Sequence, residues 1–233
     1  VEFGARGKIA NNMSWNAAIY SGKNKDDILF VYANASNGLG YFTNVDETTR
    51  EGIDLGFSGQ FDDLSLAVNY GFVMARYGSD FTIANEVNTS SVGDAIKVIQ
   101  VKDGDYLPNI PKHHMKIRAN YRVNPSWYVG ATVSAFSKSY MMGNENQGHD
   151  ASQGLQGETP GYAVMNLDSQ YYIGENWQLS LKAINIFDNE YYTGGRLAQT
   201  RVQTDRSFDD ERNVASLIPG APRAAWVGLR YEF

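Results

Sequence analysis

The side chains of this sequence that could do chemistry lie mainly in polar, glycine-rich segments. Met141, Met142 and His149 offer thioethers and an imidazole within one such segment, and both groups are ligands that copper accepts. The more common explanation for such a segment is a flexible, methionine-containing rim of a binding site. We therefore predict that residues 140–149, beginning with Tyr140, contact a ligand but hold no resident metal ion.

A second candidate site is a group of arginines in the last long polar segment: Arg196, Arg201, Arg206 and Arg212. Guanidinium groups bind carboxylate or phosphate with two parallel hydrogen bonds, so this group predicts contact with an anionic ligand. Four acids lie among the arginines: Asp205, Asp209, Asp210 and Glu211. They could neutralise the arginines instead, and both interpretations stay open.

The remaining candidates are weaker. His113 and His114 open a predicted strand, where adjacent side chains point to opposite faces and cannot readily share one ion. The short acidic runs, at 26–27, 103–105 and 209–211, lack the spacing of a calcium loop. No nucleophile elbow, phosphate loop or zinc-protease motif is present, and there is no cysteine. We predict no catalytic residue, no metal site and no cofactor.

The elements that must position these residues are strands. The 15 tyrosines, 11 phenylalanines and 23 glycines, against only 6 prolines, favour strands over helices. Alternation of apolar and polar residues predicts nine strands, at about 1–10, 14–32, 40–61, 64–77, 112–123, 126–140, 161–173, 176–190 and 223–233. A net charge of −6 argues against a nucleic-acid partner.

The connections between these strands alternate between two kinds. Tight turns at 11–12, 62–63, 124–125 and 174–176 alternate with long polar segments at 33–39, 78–111, 141–160 and 191–222. Several strands are long enough to cross a bilayer when tilted. Aromatic residues beside the tight turns resemble an interfacial girdle: Trp15, Phe61, Trp127, Trp177 and Phe233. The pattern predicts an all-β fold, a transmembrane antiparallel β-barrel with short periplasmic turns and long extracellular loops.

Four stretches carry a family resemblance. They read NVDETTREGIDLGFSGQF at 44–61, DYLPNIPKHHMKIRANY at 105–121, LKAINIFDNEYYT at 181–193 and PGAPRAAWVGLRYEF at 219–233. Together they resemble the C-terminal part of TonB-dependent outer-membrane receptors, a family with a plugged barrel of about 22 strands. The resemblance implies that residues 1–233 form the last nine or so strands, and that Phe233 is the terminal aromatic recognised by the barrel-assembly machinery.

Nine strands do not close a bacterial barrel, because unpaired edges are not tolerated in lipid. The barrel must therefore be completed by another polypeptide or by preceding residues outside these 233. We expect a companion chain that supplies the plug and roughly thirteen further strands, with TonB acting through that chain. Charged residues on the polar strand faces should form salt bridges inside the wall: Glu2, Arg6, Lys8, Asp54, Lys116, Arg118, Arg122, Asp168, Lys182, Arg230 and Glu232.

The resemblance implies a non-enzymatic receptor of the bacterial outer membrane that imports a scarce small molecule by TonB-coupled transport. A ferric siderophore or another metal chelate is the first candidate ligand, and cobalamin or a carbohydrate is an alternative. A passive porin-type channel, or a soluble β-rich binding module, is a further alternative. Detergent dependence would separate the soluble module from the other two, and bilayer conductance would separate the porin from the receptor.

Overall fold

The computed structural model describes the backbone of residues 1–34, 39–94, 96–202 and 208–233. Side chains are described for all of these except 30–34, 39–41, 153, 200–202 and 208–212. No helix within these ranges is long and apolar enough to span a membrane.

The described residues form fifteen strands and a single 3₁₀ turn at Ala151–Gln153. The strands are, in chain order, β1 (Glu2–Ala10), β2 (Met13–Asn34), β3 (Leu39–Phe61), β4 (Leu64–Tyr77), β5 (Phe81–Ala84), β6 (Val98–Val101), β7 (His113–Asn124), β8 (Trp127–Phe136), β9 (Ser139–Tyr140), β10 (Glu158–Thr159), β11 (Tyr162–Ile173), β12 (Trp177–Ile184), β13 (Tyr192–Val202), β14 (Phe208–Pro219) and β15 (Ala224–Tyr231).

Nine of these strands form one antiparallel sheet in the order β1-β2-β3-β4-β7-β8-β11-β12-β15. Tight turns join β1 to β2, β3 to β4, β7 to β8 and β11 to β12 at one end of the sheet. Longer connections join the other neighbouring pairs at the opposite end. All nine strands predicted from alternation are therefore confirmed. The other six strands form three separate hairpins or short ladders, β5-β6, β9-β10 and β13-β14, which lie within the long connections.

The strand register separates an apolar face from a polar face. In the β4–β7 pair, Val68 lies opposite Ile117 while Ala67 lies opposite Arg118. Several side chains of the apolar face are exposed, among them Ile19 at 56%, Leu229 at 64% and Val227 at 73%. In water such a surface would be strongly unfavourable, whereas a bilayer covers it. This face is the lipid-facing outside of a barrel wall, and the polar face is the inside.

The inside carries the predicted ionic contacts. Arg118 on β7 reaches across β8 and donates from Nη2 to Oδ2 of Asp168 on β11, at 2.8 Å. Residue 130 lies on β8 beneath this pair, and a Cβ added there would lie 2.3 Å from Nη2 of Arg118. Gly130 therefore gives the pair its space. This pair is one of the salt bridges expected within the wall, and it joins two strands that are separated by β8.

The strand ends differ from the sequence prediction in two places. The strand predicted at 126–140 ends at Phe136, and the chain pairs again only as β9. The strand predicted at 176–190 ends at Ile184 because Asn185 adopts a positive φ of 47°. Its side-chain amide donates to the backbone oxygens of Asn189 and Ala221. These bonds compete with continuation of the strand.

The hydrophobic core lies beyond the barrel wall, among the long connections. The hairpin β5-β6 packs against the ends of β3 and β4 through Ile99 and Tyr77, which are 0% and 1% exposed. The other buried members of this cluster are Val45, Ala75, Ile83, Val101 and Leu107. Because the wall's own apolar side chains face lipid, this cluster fixes the extracellular loops instead of the barrel.

Candidate ligand-binding rim

Three long connections meet at the end of the sheet opposite the tight turns. They are here called loop A (residues 78–112), loop B (137–161) and loop C (185–223). Antiparallel strands place every second connection at the same end, which brings these three together. Loop B lies between the other two and contacts both.

Asparagine side chains join loop B to loop A. Asn85 and Asn88 each donate an amide hydrogen bond of 2.8 Å to the carbonyl oxygen of Gly143. Within loop B, the buried Asn144 donates to the carbonyl oxygen of Gly157 at 2.9 Å. Buried amides with satisfied partners rigidify the backbone that they bind. The two loops therefore form one body.

The backbone of loop B also pairs with β13 of loop C. Met142 and Arg196 form a parallel bridge, in which the Met142 N–H donates to the Gly195 oxygen at 3.1 Å. The Leu197 N–H donates in return to the Met142 oxygen at 2.8 Å. The two candidate groups of the sequence, the rim at 140–149 and the first arginine of loop C, are thus adjacent.

Two of the predicted rim residues are occupied with internal contacts. Met141 is 0% exposed and packs against Gly195, where an added Cβ would lie 3.0 Å from its sulfur. The Thr89 N–H donates to Nδ1 of His149 at 3.3 Å, and Nε2 lies 3.2 Å from the Leu155 oxygen. A carbonyl only accepts, so the proton is on Nε2 and both ring nitrogens are engaged.

The other predicted residues differ in exposure and in how far they are described. Arg196 is exposed, and Tyr140 and Met142 are half-buried. Arg206 lies outside the described residues, and for Arg201 and Arg212 only the backbone, in β13 and β14, is described. Among the residues whose side chains are described, no group of three or more histidine and acidic residues could hold a metal ion.

Tyr140 and His149 line a common cavity of about 570 Å³ in loop B. Lys138 and Glu158 lie in its wall and form an ion pair of 2.9 Å. The hydrogen bond from Lys138 to Glu158 raises the pKa of the ammonium group. Sequence reasoning missed this pair because the two residues meet only through the β9-β10 ladder, which local alternation does not reveal.

A buried carboxyl group lies where loop B meets loop A. Glu145 is 6% exposed, and its Oε1 accepts a 2.7 Å hydrogen bond from the Gly143 N–H. Its Oε2 is buried without a hydrogen-bond partner. Burial raises the pKa of this carboxyl group, because the charged form loses its hydration. The protonated form therefore fits the packed loop best.

An antiparallel wall, apolar outside and polar inside, with tight turns at one end and packed loops at the other, is the pattern of an outer-membrane β-barrel wall. A family model described as "TonB dependent receptor-like, beta-barrel" matches residues 1–186. The chain belongs to this family of outer-membrane receptors. The resemblance that the four sequence stretches carry is thereby confirmed.

Individual relatives agree with this assignment. The chain is 27% identical over 195 residues to the metal-pseudopaline receptor CntO of Pseudomonas aeruginosa, matching 83% of this chain. It spans only 22% of that relative's length. The siderophore receptor PiuA from Acinetobacter baumannii superposes with a TM-score of 0.66 at 18% identity, over 99% of this chain and 28% of PiuA. The copper transporter OprC superposes with a TM-score of 0.66 at 19% identity, over 100% and 30%.

Proposed function

We propose that this chain is part of a receptor that imports a metal chelate by TonB-coupled transport, with a ferric siderophore as the first candidate. The observation that carries the proposal is the junction of loops A, B and C. Three connections bonded into one body hold a cavity and an exposed arginine above the barrel wall. A ligand bound there meets preorganised groups, which lowers the entropic cost of binding. The names of CntO and PiuA support a chelate as the ligand class.

Within this rim we assign different roles to the predicted residues. Tyr140, Met142 and Arg196 contact the ligand, and Met141 and His149 hold loop B in place through their internal contacts. The contacts predicted from Arg201, Arg206 and Arg212 stay a prediction, because Arg206 and the side chains of the other two lie outside the described part of the chain. An anionic chelate suits this rim because guanidinium groups bind carboxylates bidentately.

The barrel must also be completed. In the described sheet, β1 and β15 each pair with a strand on one side only, and an unpaired edge costs several kcal/mol per exposed backbone group in lipid. We propose that the remaining strands and a plug, on a companion chain or on the same polypeptide, pair with these edges. TonB engages that part, and Phe233 engages the barrel-assembly machinery. Mass analysis of the purified barrel under denaturing conditions distinguishes the two arrangements.

The experiment that tests the proposal is uptake of a radiolabelled metal chelate by cells whose only copy of the complete receptor is wild type or Arg196→Gln. We expect energy-dependent uptake that requires TonB, with weaker binding for the variant. A passive porin would instead conduct ions in planar bilayers and transport without TonB. Equal uptake in cells with and without TonB would overturn the proposed mechanism.

A further inference from the structure

A group of cationic and aromatic side chains surrounds Tyr106 where β4 and β7 end at loop A. Arg76 donates from Nη2 to the Tyr106 hydroxyl oxygen at 2.9 Å. Nζ of Lys112 lies 3.6 Å from the centre of the same ring. Tyr140 stacks on Tyr106 with the ring centres 6.1 Å apart. Two cations therefore converge on one phenol.

This group lies on the outer face of the wall, away from the lumen. Along β4, Arg76 shares its face with the lipid-facing Val68 and Phe72, since alternate residues share a face. Tyr106 lies opposite Arg76 in an antiparallel bridge, so the two share that face. His113 lies opposite Phe72 on the same side. A ligand moving through the barrel would not meet these residues.

The height of the group matches the outer headgroup region. Twelve residues of β4 separate Arg76 from Leu64, which adjoins the tight turn at 62–63. At about 3.4 Å per residue and a tilt of about 40°, Arg76 lies roughly 30 Å above Leu64 along the membrane normal. The lipid-facing apolar band is about 25 Å tall. Below the group, within the apolar band, the hydroxyl of Tyr70 shares a hydrogen bond of 2.8 Å with Nδ1 of His113.

The two cations lack acidic partners. Among the described side chains, neither Arg76 nor Lys112 forms an ion pair, and Nε of Arg76 is buried without a hydrogen-bond partner. Hydrogen bonds from Arg76 and then Lys112 lower the pKa of the Tyr106 hydroxyl. Both facts indicate local positive potential. A half-buried cation without a counter-charge is stabilised when an anion from outside supplies one.

A cavity of about 250 Å³ opens beside the group. Its lining includes the Tyr106 and Tyr140 rings, the cationic Lys112 and Lys138, and the Ser137 hydroxyl. The one acid in its wall, Glu158, is already paired with Lys138. Cations and hydroxyl groups suit the oxygens of a phosphate, and aromatic rings suit the faces of an attached sugar or glycerol.

We propose that Arg76, Tyr106 and Lys112, here called the outer cation cluster, bind the phosphate group of a phosphorylated lipid in the outer leaflet. The outward orientation, the height above the apolar band and the absence of internal counter-charges all favour a lipid over a soluble anion. The cluster adjoins the ligand-binding rim, since Tyr140, Lys138 and Glu158 line both cavities, but the proposal does not depend on what the receptor imports.

The test is retention of a phosphorylated glycolipid by the complete receptor in mild detergent, measured by native mass spectrometry. Loss of a charge-assisted hydrogen bond typically weakens binding about ten- to a hundred-fold. We expect Arg76→Gln/Lys112→Gln to lose lipid by at least about ten-fold. The control Lys8→Gln/Lys116→Gln makes the same charge change on the inner face and should retain lipid. The charge-preserving Arg76→Lys/Lys112→Arg should largely retain it.

Two competitors separate the possible sources of the anion. The same glycolipid without its phosphate should bind at least about ten-fold more weakly than the phosphorylated form, because its charge-assisted contacts are lost. Inorganic phosphate should fail to displace the bound lipid. Wild-type retention by the double glutamine variant, or full displacement by inorganic phosphate, would overturn the proposal. If the double variant does not assemble, the single variant Lys112→Gln replaces it, because Lys112 lies outside the strands. Wild-type lipid retention by this single variant would then overturn the proposal.

Discussion

An arginine placed at Leu181 on β12 should destabilise the barrel strongly. Leu181 is 46% exposed on the lipid-facing side, opposite Ser169 on β11 and Val227 on β15. It lies four residues from Trp177, which adjoins the tight turn at 174–176. At about 3.4 Å per residue and a tilt of about 40°, that is roughly 10 Å into an apolar band about 25 Å tall. An arginine near the bilayer midplane costs about 2–4 kcal/mol.

Neighbouring positions on β12 lie at different depths in the membrane, so arginine substitutions there should destabilise the barrel to different degrees. Leu179 lies only about 5 Å above Trp177, so Leu179→Arg should cost less than Leu181→Arg, about 1–2 kcal/mol. Ser180 faces the lumen and donates to the Gly228 oxygen at 3.2 Å. Ser180→Arg should cost about 1 kcal/mol, since it removes that bond but leaves the charge in water. Ser180→Ala measures the bond alone.

The assay is urea unfolding of the complete receptor in lipid vesicles, with the folded fraction followed by heat-modifiable gel mobility. The expected order of destabilisation is Leu181→Arg, then Leu179→Arg, then Ser180→Arg. If Ser180→Arg costs as much as Leu181→Arg, the alternation of lipid and lumen faces is wrong for β12. If Leu179→Arg costs more than Leu181→Arg, the calculated depth is wrong.

Three further outcomes are expected. A cysteine at Ser91 in loop A should react with an impermeant reagent on intact cells, and one at Glu175 should not; the reverse result would invert the topology. The pKa of the Glu145 carboxyl group is raised in the folded protein above its ordinary value of 4.5. The protonated group therefore contributes its full stability below pH 4.5, and this contribution is lost as the pH rises through the higher pKa of the folded state. Hydrogen exchange of loop B, corrected for intrinsic rate, should therefore increase with pH in the wild type and not in Glu145→Gln. Replacing Arg196 by glutamine should weaken chelate binding roughly ten- to a hundred-fold if that guanidinium engages the ligand, and calorimetric titration would reveal unchanged affinity.

The strands were predictable because one physical rule governs each residue of the wall. Lipid outside and water inside impose a two-residue period that reaches from Val68 to Leu229. The tight turns at 62–63 and 174–176 followed from their turn-forming residues. The β5-β6 and β13-β14 hairpins were missed, because outside the bilayer their side chains pack against other loops, and the two-residue period is no longer required.

The sequence predicted which residues belong to the rim, but not which other residues they contact. Residue type identified Met141 and His149 as possible ligands. The spacing of residues in the sequence does not reveal that the Met141 thioether is buried or that both ring nitrogens of His149 are already hydrogen-bonded. Both depend on Gly195 and Thr89, which lie far away along the chain. Lys138 and Glu158 escaped notice for the same reason. Each is an ordinary surface residue until the β9-β10 ladder brings the two together.

Arg76 marks the position on β4 beyond which a residue on the lipid-facing side no longer has to be apolar. By period it belongs with the lipid-facing side chains of β4, a position at which an arginine within the apolar band would cost about 2–4 kcal/mol. The strand continues unbroken through it to Tyr77, so the backbone gives no sign of a boundary. The guanidinium is tolerated because β4 has left the hydrocarbon by this residue. An outward-facing cation on a long strand therefore indicates the upper limit of the apolar band. Since Lys112 lies beside it, that limit is also where an anionic headgroup would find its counter-charge.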